Sequence, residues 1–400
     1  GLVDVADATA ATALFGYAAG DVTYLSRANS FANYAESTAA PTNFEMSAEA
    51  KAGFYNHTNY DPTQFNNASD VAPTTGAKNG LSLYDMIGKS YDDPDWEPLL
   101  DQLTVEEMSQ LVQVGGFSTV PMKSVEKIAT ADSDGTGGLN DWYAGVYGTP
   151  YPTETLIAQT WNKDLAYDFG ASIGDMANEM DVSGWYAPAM NIHRSAFAGR
   201  NFEYYSEDGF ISGKMAANAI LGAAESGVYA FMKHFALNDQ ETHRTDMLCT
   251  WTNEQAMREI YLKPFELSVK EGHCGAVMSA FNYIGNKYAA ATYELQTTVL
   301  RDEWGFRGMV LTDYFGGYGY QDADRMIRNG CDLMLVNYAT ATNDVRFRDT
   351  NGAKTAMRNS AKNILYVVVN SRAYDPENLS GGLPIWKTIM YAVDAGIVLL

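Results

Sequence analysis

The sequence predicts an α/β fold in which parallel strands alternate with helices. Short apolar runs typical of buried strands recur along the chain, and segments with apolar residues at helical spacing lie between them. Clusters of polar and charged residues directly follow several of the runs. The hydrophobic fraction of 46% is ordinary for a globular protein. Alternation of this kind is typical of βα units with parallel pairing.

Length and charge narrow the class of protein. Four hundred residues accommodate one α/β barrel of about 250 residues with flanking segments. The net charge of -22 opposes diffuse attraction to nucleic acid or anionic lipid, so we expect a neutral substrate or one held by local contacts. The three cysteines are widely spaced among apolar residues, which favours buried thiols over disulfides or a metal site.

Residues 1–90 are predicted to precede the main domain. They are rich in small and polar residues up to about position 80, and their one strand-like run is Asp21–Arg27. We interpret this run as the last strand of an upstream α/β domain, followed by a linker. The chain begins without Met and ends inside an apolar run, which is typical of a fragment of a longer polypeptide.

Helices and strands are predicted in alternation over residues 91–375. A helix within 92–111 carries a capping box at Thr104 and Glu107, and another begins at a capping box of Thr252 with Gln255. Apolar residues recur on one helical face over 161–180, and a last helix runs through 363–369. Six runs are predicted strands, fewer than the eight of a complete barrel: 111–116, a run that begins at 186, 228–232, 275–280, 309–312 and 332–336.

Ten ionisable residues follow the second and third of these runs. In a barrel of parallel strands such positions line the active face. Any one of them could equally be a solvated loop residue, but Lys233 and His234 directly continue the run Val228–Met232 and should lie at a strand tip. The ten are Arg194, Arg200, Glu203, Glu207, Asp208, Lys233, His234, Asp239, Glu241 and Arg244.

Several motifs, in their order across residues 98–373, resemble those of glycoside hydrolase family 3. Gly199–Asp208 reads GRNFEYYSED, and Lys233–Arg244 opens with Lys-His-Phe. Asp134–Leu139 resembles the family's Asp-Gly-Pro-x-Gly loop with Thr in place of Pro, and Glu303–Asp313, EWGFRGMVLTD, resembles its nucleophile segment. The resemblance implies a (β/α)8 TIM-type barrel over 91–375, with a remnant of an upstream α/β sandwich before it if the domain order is permuted.

The resemblance implies that Asp313 is the catalytic nucleophile. Glycosidic bond cleavage needs a carboxylate on one face of the sugar and an acid near the leaving oxygen, and Asp313 ends an apolar strand. The structural alternative is a strand-end Asp that caps the next turn. The acid/base is assigned only to Glu36, which is displaced from the family pattern after Ser26-Arg27, and a solvated carboxylate is its alternative, as it is for Glu45.

Substrate binding is implied for six further residues. Charge-assisted hydrogen bonds to sugar hydroxyls are stronger than neutral ones, and Tyr314 stands where the family usually has Trp and would stack on the ring. Phe281 stands where the family commonly has Tyr, so a hydroxyl is missing near the nucleophile. A Schiff-base role for Lys233 in a barrel aldolase and a core role for His234 are the alternatives. The six are Asp134, Arg200, Lys233, His234, Tyr314 and Phe281.

The function implied is a retaining, exo-acting β-glycosidase, most closely a β-glucosidase, that needs no metal or organic cofactor. Its substrate would be an oligosaccharide or β-glycoside. The alternative is a non-catalytic carbohydrate-binding or scaffolding homologue that has lost its acid/base. The N-acetylglucosaminidase branch is disfavoured, because Lys233-His-Phe235 continues as Ala-Leu-Asn-Asp-Gln-Glu241 rather than as a Gly-rich segment with His.

Residues 376–400 are predicted to be a linker and the start of a membrane anchor. The thirteen residues Thr388–Leu400 carry one charge, Asp394, although a spanning helix needs about 20 apolar residues. Trp386 and Lys387 stand where interfacial anchors belong. A core strand or helix that opens a further domain is the alternative. We expect an extracellular or cell-surface protein, with the cytoplasm as the alternative location.

Overall fold

A curled seven-stranded sheet forms the centre of the protein. The computed structural model describes residues 13–19, 22, 24–55, 57–340 and 342–375. Strands neighbour one another in chain order; the first pairs antiparallel with the second, and the others pair in parallel. They are Ser118–Thr119 (β1), Thr130–Asp134 (β2), Gly184–Tyr186 (β3), Tyr229–Phe235 (β4), Ala276–Ser279 (β5), Met309–Tyr314 (β6) and Leu333–Leu335 (β7).

Backbone hydrogen bonds join the two edges of this sheet. Gly115 N–H donates to the Met334 carbonyl at 2.8 Å, and on the other side the Phe117 carbonyl accepts from Asp132 N–H at 2.9 Å. The segment 115–117 therefore lies between β7 and β2. The α/β fold with a curled sheet is confirmed, whereas the eight strands of a (β/α)8 barrel are not found in the described part of the chain.

Helices surround the sheet and bury their apolar faces against it. The close packing of two of them requires glycine, because a Cβ on Gly170 would lie 1.9 Å from the Ala219 carbonyl oxygen. The main helices are Trp96–Leu100 (α1), Val105–Gln113 (α2), Glu154–Gln159 (α3), Lys163–Glu179 (α4), Gly209–Glu225 (α5), Lys263–Lys270 (α6), Ala323–Asn329 (α7) and Asn351–Val369 (α8). Two π-helices span Met257–Tyr261 and Glu294–Glu303, and short α-helices span Gly16–Ala19, Tyr34–Ser37, Ala48–Ala52 and Glu254–Ala256.

Two predicted element boundaries need correction. The capping box at Thr104 and Glu107 is confirmed, with the Thr104 hydroxyl accepting from Glu107 N–H at 3.1 Å. The strand predicted over 111–116 is wrong, because α2 continues to Gln113 and the first strand of the sheet begins only at Ser118. The helix predicted to begin with Thr252 is capped instead by Asn253, whose side chain accepts from Ala256 N–H at 2.8 Å.

The flanking predictions stay open. Residues 24–26 have no regular structure and a turn occupies 27–30, so the strand predicted over Asp21–Arg27 is not observed in the described residues of that run. The proposed anchor in 376–400 lies outside the described residues. Among the helices that the structure describes, none combines the length and apolar character needed to cross a bilayer.

Candidate active site

Four of the predicted site residues meet at the carboxyl ends of three strands. Asp134 ends β2, Lys233 and His234 lie near the end of β4, and Asp313 lies near the end of β6. Lys233 Nζ lies 2.7 Å from Asp134 Oδ1, and His234 Nε2 lies 3.8 Å from Asp313 Oδ2. Because parallel strands of one sheet end at the same face, residues far apart in sequence converge there, such as Asp134 and Lys233, which are 99 positions apart.

Lys233 and Asp134 form an ion pair at the edge of the site. The Lys233 side chain is 4% exposed, whereas that of Asp134 is 51% exposed. Burial alone would raise the pKa of Asp134, but the Lys233 ammonium and the hydrogen bond from Gly135 N–H hold the pKa below its usual value. The carboxylate is therefore charged and open to a ligand on one side. An ammonium paired in this way is a donor, which disfavours the Schiff-base alternative for Lys233.

Asp313 presents one carboxylate oxygen that none of the described residues hydrogen-bonds. Oδ1 accepts from Tyr314 N–H at 2.7 Å, whereas the buried Oδ2 has no hydrogen-bond partner among the described residues. Burial raises the pKa of Asp313, and the cations of Arg244, Arg200 and Lys233 oppose that rise. A turn-capping role accounts for Oδ1 only. The spare, buried Oδ2 is the arrangement that a nucleophilic carboxylate needs.

His234 is a neutral, fixed imidazole beside Asp313. Its backbone N–H donates to Asn191 Oδ1 at 2.8 Å, and the Asn191 amide donates back to the His234 carbonyl at 3.0 Å. Burial, together with the cations of Arg200 and Lys233, lowers the pKa of His234 well below its usual value. The ring therefore offers neutral hydrogen-bonding nitrogens near Asp313 rather than a positive charge.

Alternating charges continue from Asp313 along two loops. Arg200 Nε pairs with Glu203, and an Arg200 guanidinium nitrogen lies 3.8 Å from Glu241 Oε1. Glu241 Oε2 in turn lies 3.0 Å from Arg244 Nε. Burial raises the pKa of Glu241, while Arg200 and Arg244 oppose that rise. The sequence pattern placed Glu203, Glu241 and Arg244 near a strand end but assigned them no role.

Phe281 lies under a guanidinium. Arg244 Cζ is 4.7 Å from the centre of the Phe281 ring, within the range of a cation–π contact. The Tyr318 ring meets Phe281 edge to face at 5.6 Å. The Phe281 ring thus supports Arg244, and neither this contact nor the contact with Tyr318 could be predicted from the sequence.

Tyr314 and Glu36 have different settings. Tyr314 directly follows Asp313 and is 36% exposed, so its ring lies at the rim of the site, and its role as a stacking residue stays a prediction. Glu36 lies on the exposed helix Tyr34–Ser37 and is not among the groups described around Asp313. Its acid/base role stays a prediction. Among the described residues, no group of three or more His, Cys, Asp and Glu side chains has the arrangement of a metal site.

Known proteins resemble this chain over the region that contains the sheet and the candidate site. The family model "Glycosyl hydrolase family 3 N terminal domain" matches residues 118–361. Beta-glucosidase A of Butyrivibrio fibrisolvens is 40% identical over 248 residues, which cover 59% of this chain and 30% of that protein. Beta-glucosidase B of Emericella nidulans is 38% identical over 253 residues, covering 62% of this chain and 30% of that protein.

A solved structure has the same fold. Beta-glucosidase 3B from Thermotoga neapolitana, in complex with alpha-D-glucose, is 33% identical with a TM-score of 0.65, covering 76% of this chain and 46% of that one. The chain therefore spans about a third of the length of the curated relatives it matches, and less than half of this solved one.

Proposed function

This chain belongs to glycosyl hydrolase family 3, and on that premise we propose that it is a β-glucosidase that removes terminal nonreducing β-D-glucosyl residues with retention. The observation that carries the proposal is the buried Oδ2 of Asp313, which has no hydrogen-bond partner among the described residues and lies beside charged groups suited to hydroxyls. The names of the relatives and the glucose in the Thermotoga structure support the choice of sugar. The joined sheet edges support a TIM-type barrel as part of the same proposal.

In the proposed reaction Asp313 Oδ2 attacks the anomeric carbon as the glycosidic bond to the leaving oxygen breaks. The Tyr314 N–H bond fixes the other carboxylate oxygen and so orients the attacking one. The resulting glycosyl ester is hydrolysed by water, and the Asp313 carboxylate is regenerated. Asp134, Lys233 and His234 hold sugar hydroxyls meanwhile. The leaving oxygen also needs a proton, which remains assigned to Glu36 as a prediction only.

Hydrolysis of p-nitrophenyl β-glucoside tests this function, because its good leaving group hardly needs protonation. We expect turnover with β-glucose as the first product by proton NMR, and loss of turnover in Asp313→Asn. Asp302→Asn, an exposed carboxylate in the preceding segment, is the matched control. Glucose binding without turnover would instead support the non-catalytic carbohydrate-binding alternative, and no binding at all would contradict both.

The pH profile should reflect the environment of Asp313. The nucleophile must be ionised, and burial holds its pKa above the usual value of about 3.9 for Asp, so kcat/KM should fall as the pH drops through that raised pKa. Arg244 lowers the pKa of Asp313, so Arg244→Ala should move the acid limb to higher pH. The measurement is kcat/KM on p-nitrophenyl β-glucoside against pH.

A matched arginine separates this local effect from a change in overall charge. Arg348 is 40% exposed and pairs with the exposed Glu106. Arg348→Ala should leave the acid limb where it is. An equal movement of the limb in both variants, or none in Arg244→Ala, would contradict the role of Arg244.

A further inference from the structure

Two large aromatic side chains project from a hairpin beside the Asp134 loop. The strands Asn140–Asp141 and Val146–Tyr147 pair antiparallel, and the turn between them leaves Trp142 71% exposed and Tyr143 53% exposed. Single exposed aromatic residues are normal, but adjacent ones form an apolar patch of the kind that marks binding surfaces. The two ring centres are 3.9 Å apart, so the rings form one continuous surface.

The hairpin is fixed to the site by one buried carboxylate. Asp141 is 4% exposed, and its Oδ1 accepts from Tyr143 N–H at 2.7 Å and from Ala144 N–H at 3.2 Å. Its Oδ2 accepts from the backbone N–H of Asp134 at 3.3 Å. The same side chain therefore shapes the aromatic turn and holds the residue that pairs with Lys233. Asp141 couples the position of the rings to the position of the hydroxyl-binding group.

Packing beneath the turn holds the aromatic surface in place. The Tyr143 ring stacks on the Phe117 ring, with centres 5.4 Å apart and planes 13° apart, and Phe117 N–H donates to the buried Tyr186 hydroxyl at 2.9 Å. Phe117 belongs to the segment that joins the two edges of the sheet. The Tyr143 ring is therefore packed against the segment that joins the two sheet edges, which limits its movement.

Aromatic rings continue from the hairpin toward the nucleophile. Tyr338 is 55% exposed and lies beside Tyr314, which follows Asp313. Burial and, after it, the neighbouring Tyr338 and Tyr143 side chains raise the pKa of Tyr314. The one charged side chain of the hairpin, Asp141, is buried under the turn. The opening of the site is therefore neutral and aromatic on the side of the hairpin, whereas the residues at the strand ends inside the site are charged.

We propose that Trp142 and Tyr143 bind the leaving-group part of the substrate, and that this part is a ring with a flat apolar face. The inference rests on the proposed function. Only if the charged residues at the strand ends hold the glucosyl unit does the leaving group extend to the rim, where the two rings lie. Aromatic faces stack on the C–H face of a pyranose and on an aryl ring alike. A second β-linked sugar and an aryl aglycone share this chemistry, and the test below distinguishes them.

Equilibrium binding tests the site without turnover. In the Asp313→Asn variant of the 400-residue chain, calorimetry gives the Kd of glucose, of cellobiose and of phenyl β-glucoside. In this Asp313→Asn background, Trp142→Ala should raise the Kd of cellobiose, of phenyl β-glucoside or of both about tenfold. The Kd of glucose, which has no leaving-group ring, should change less than twofold. Trp142→Phe should restore most of the loss. Trp161→Ala, a tryptophan 77% exposed between α3 and α4, is the matched control and should change none of the three.

Each outcome decides one point. A loss for cellobiose alone assigns the rings to a second sugar, a loss for phenyl β-glucoside alone assigns them to an aryl group, and a loss for both assigns them to either ring. Unchanged binding of both, with glucose still bound, would overturn the leaving-group site but not the proposed function. If the Asp313→Asn variant with Trp142 intact does not bind glucose, both the leaving-group site and the proposed function are overturned. Circular dichroism checks that the variants at Trp142 and Trp161 are folded.

Discussion

Asp313→Ala is expected to lower kcat on p-nitrophenyl β-glucoside by several powers of ten, roughly 10⁴-fold or more, as for other covalent nucleophiles. The physical reason is the position of Oδ2, which is buried, lies 3.8 Å from His234 Nε2 and has no hydrogen-bond partner in the part of the chain that the structure describes. Tyr314 N–H bonds to the other oxygen, Oδ1, so Oδ2 is the oxygen that is available for attack. Initial rates at equal concentrations of folded protein measure the effect.

Folding and chemical rescue serve as controls for this variant. Burial raises the folded pKa of Asp313, so the folded state binds the proton more tightly than the unfolded state does, and stability falls as the pH rises through that interval. Removing the carboxylate should therefore leave the melting temperature at neutral pH unchanged or higher. Azide added to Asp313→Ala should form the α-glucosyl azide by single displacement. Near wild-type turnover in the variant would rule Asp313 out as the nucleophile.

The positions of the main site residues could be predicted because the chain marks strand ends clearly. A buried parallel strand is apolar for most of its length, so charged residues that directly follow the apolar run lie at the carboxyl end of the strand. Lys233, His234 and Asp313 follow this rule. Their distances from one another could not be predicted, because curvature of the sheet and the loop after β2 decide that Lys233 meets Asp134.

Contacts between loops left no comparable pattern in the sequence. Arg244 and Phe281 lie in different loops, and only the tertiary structure brings the guanidinium over the ring. The loss of a tyrosine hydroxyl at 281 was visible, but the cation that covers the ring was not. The aromatic turn at Trp142 was also missed, because an Asp-Trp-Tyr sequence has no periodicity that separates an exposed hairpin from a core strand.

The errors in the fold have similar physical causes. Residues 111–116 contain a short apolar run before two glycines, and such a run fits the last turn of a helix as well as a strand. The helix α2 takes the first part, and the glycines then lie against β7. Thr252 and Asn253 can both cap a helix, and the sequence alone does not choose between adjacent candidates.

Lys233→Ala is expected to lower kcat/KM on p-nitrophenyl β-glucoside about 30- to 1000-fold, which corresponds to a rise of roughly 2 to 4 kcal/mol in the activation free energy. The ammonium is held at 2.7 Å from Asp134 and is 4% exposed, so it has little freedom to turn away from a bound sugar. Its loss also removes the cation that keeps the pKa of Asp134 low, and the carboxylate becomes a weaker acceptor for hydroxyls near its new pKa.

The division between kcat and KM shows what Lys233 contributes. A fall in kcat means that the contact strengthens in the transition state, whereas a rise in KM alone means uniform binding of the glucosyl unit. Asp134→Ala and the double variant complete a cycle, in which the two losses should overlap because the residues act as one pair. Lys287→Ala, which breaks the partly buried pair with Glu294, should leave kcat/KM unchanged. Since Lys233 and His234 are adjacent on β4, unchanged kcat/KM in both Lys233→Ala and His234→Ala would mean that this strand end supports the fold rather than the sugar.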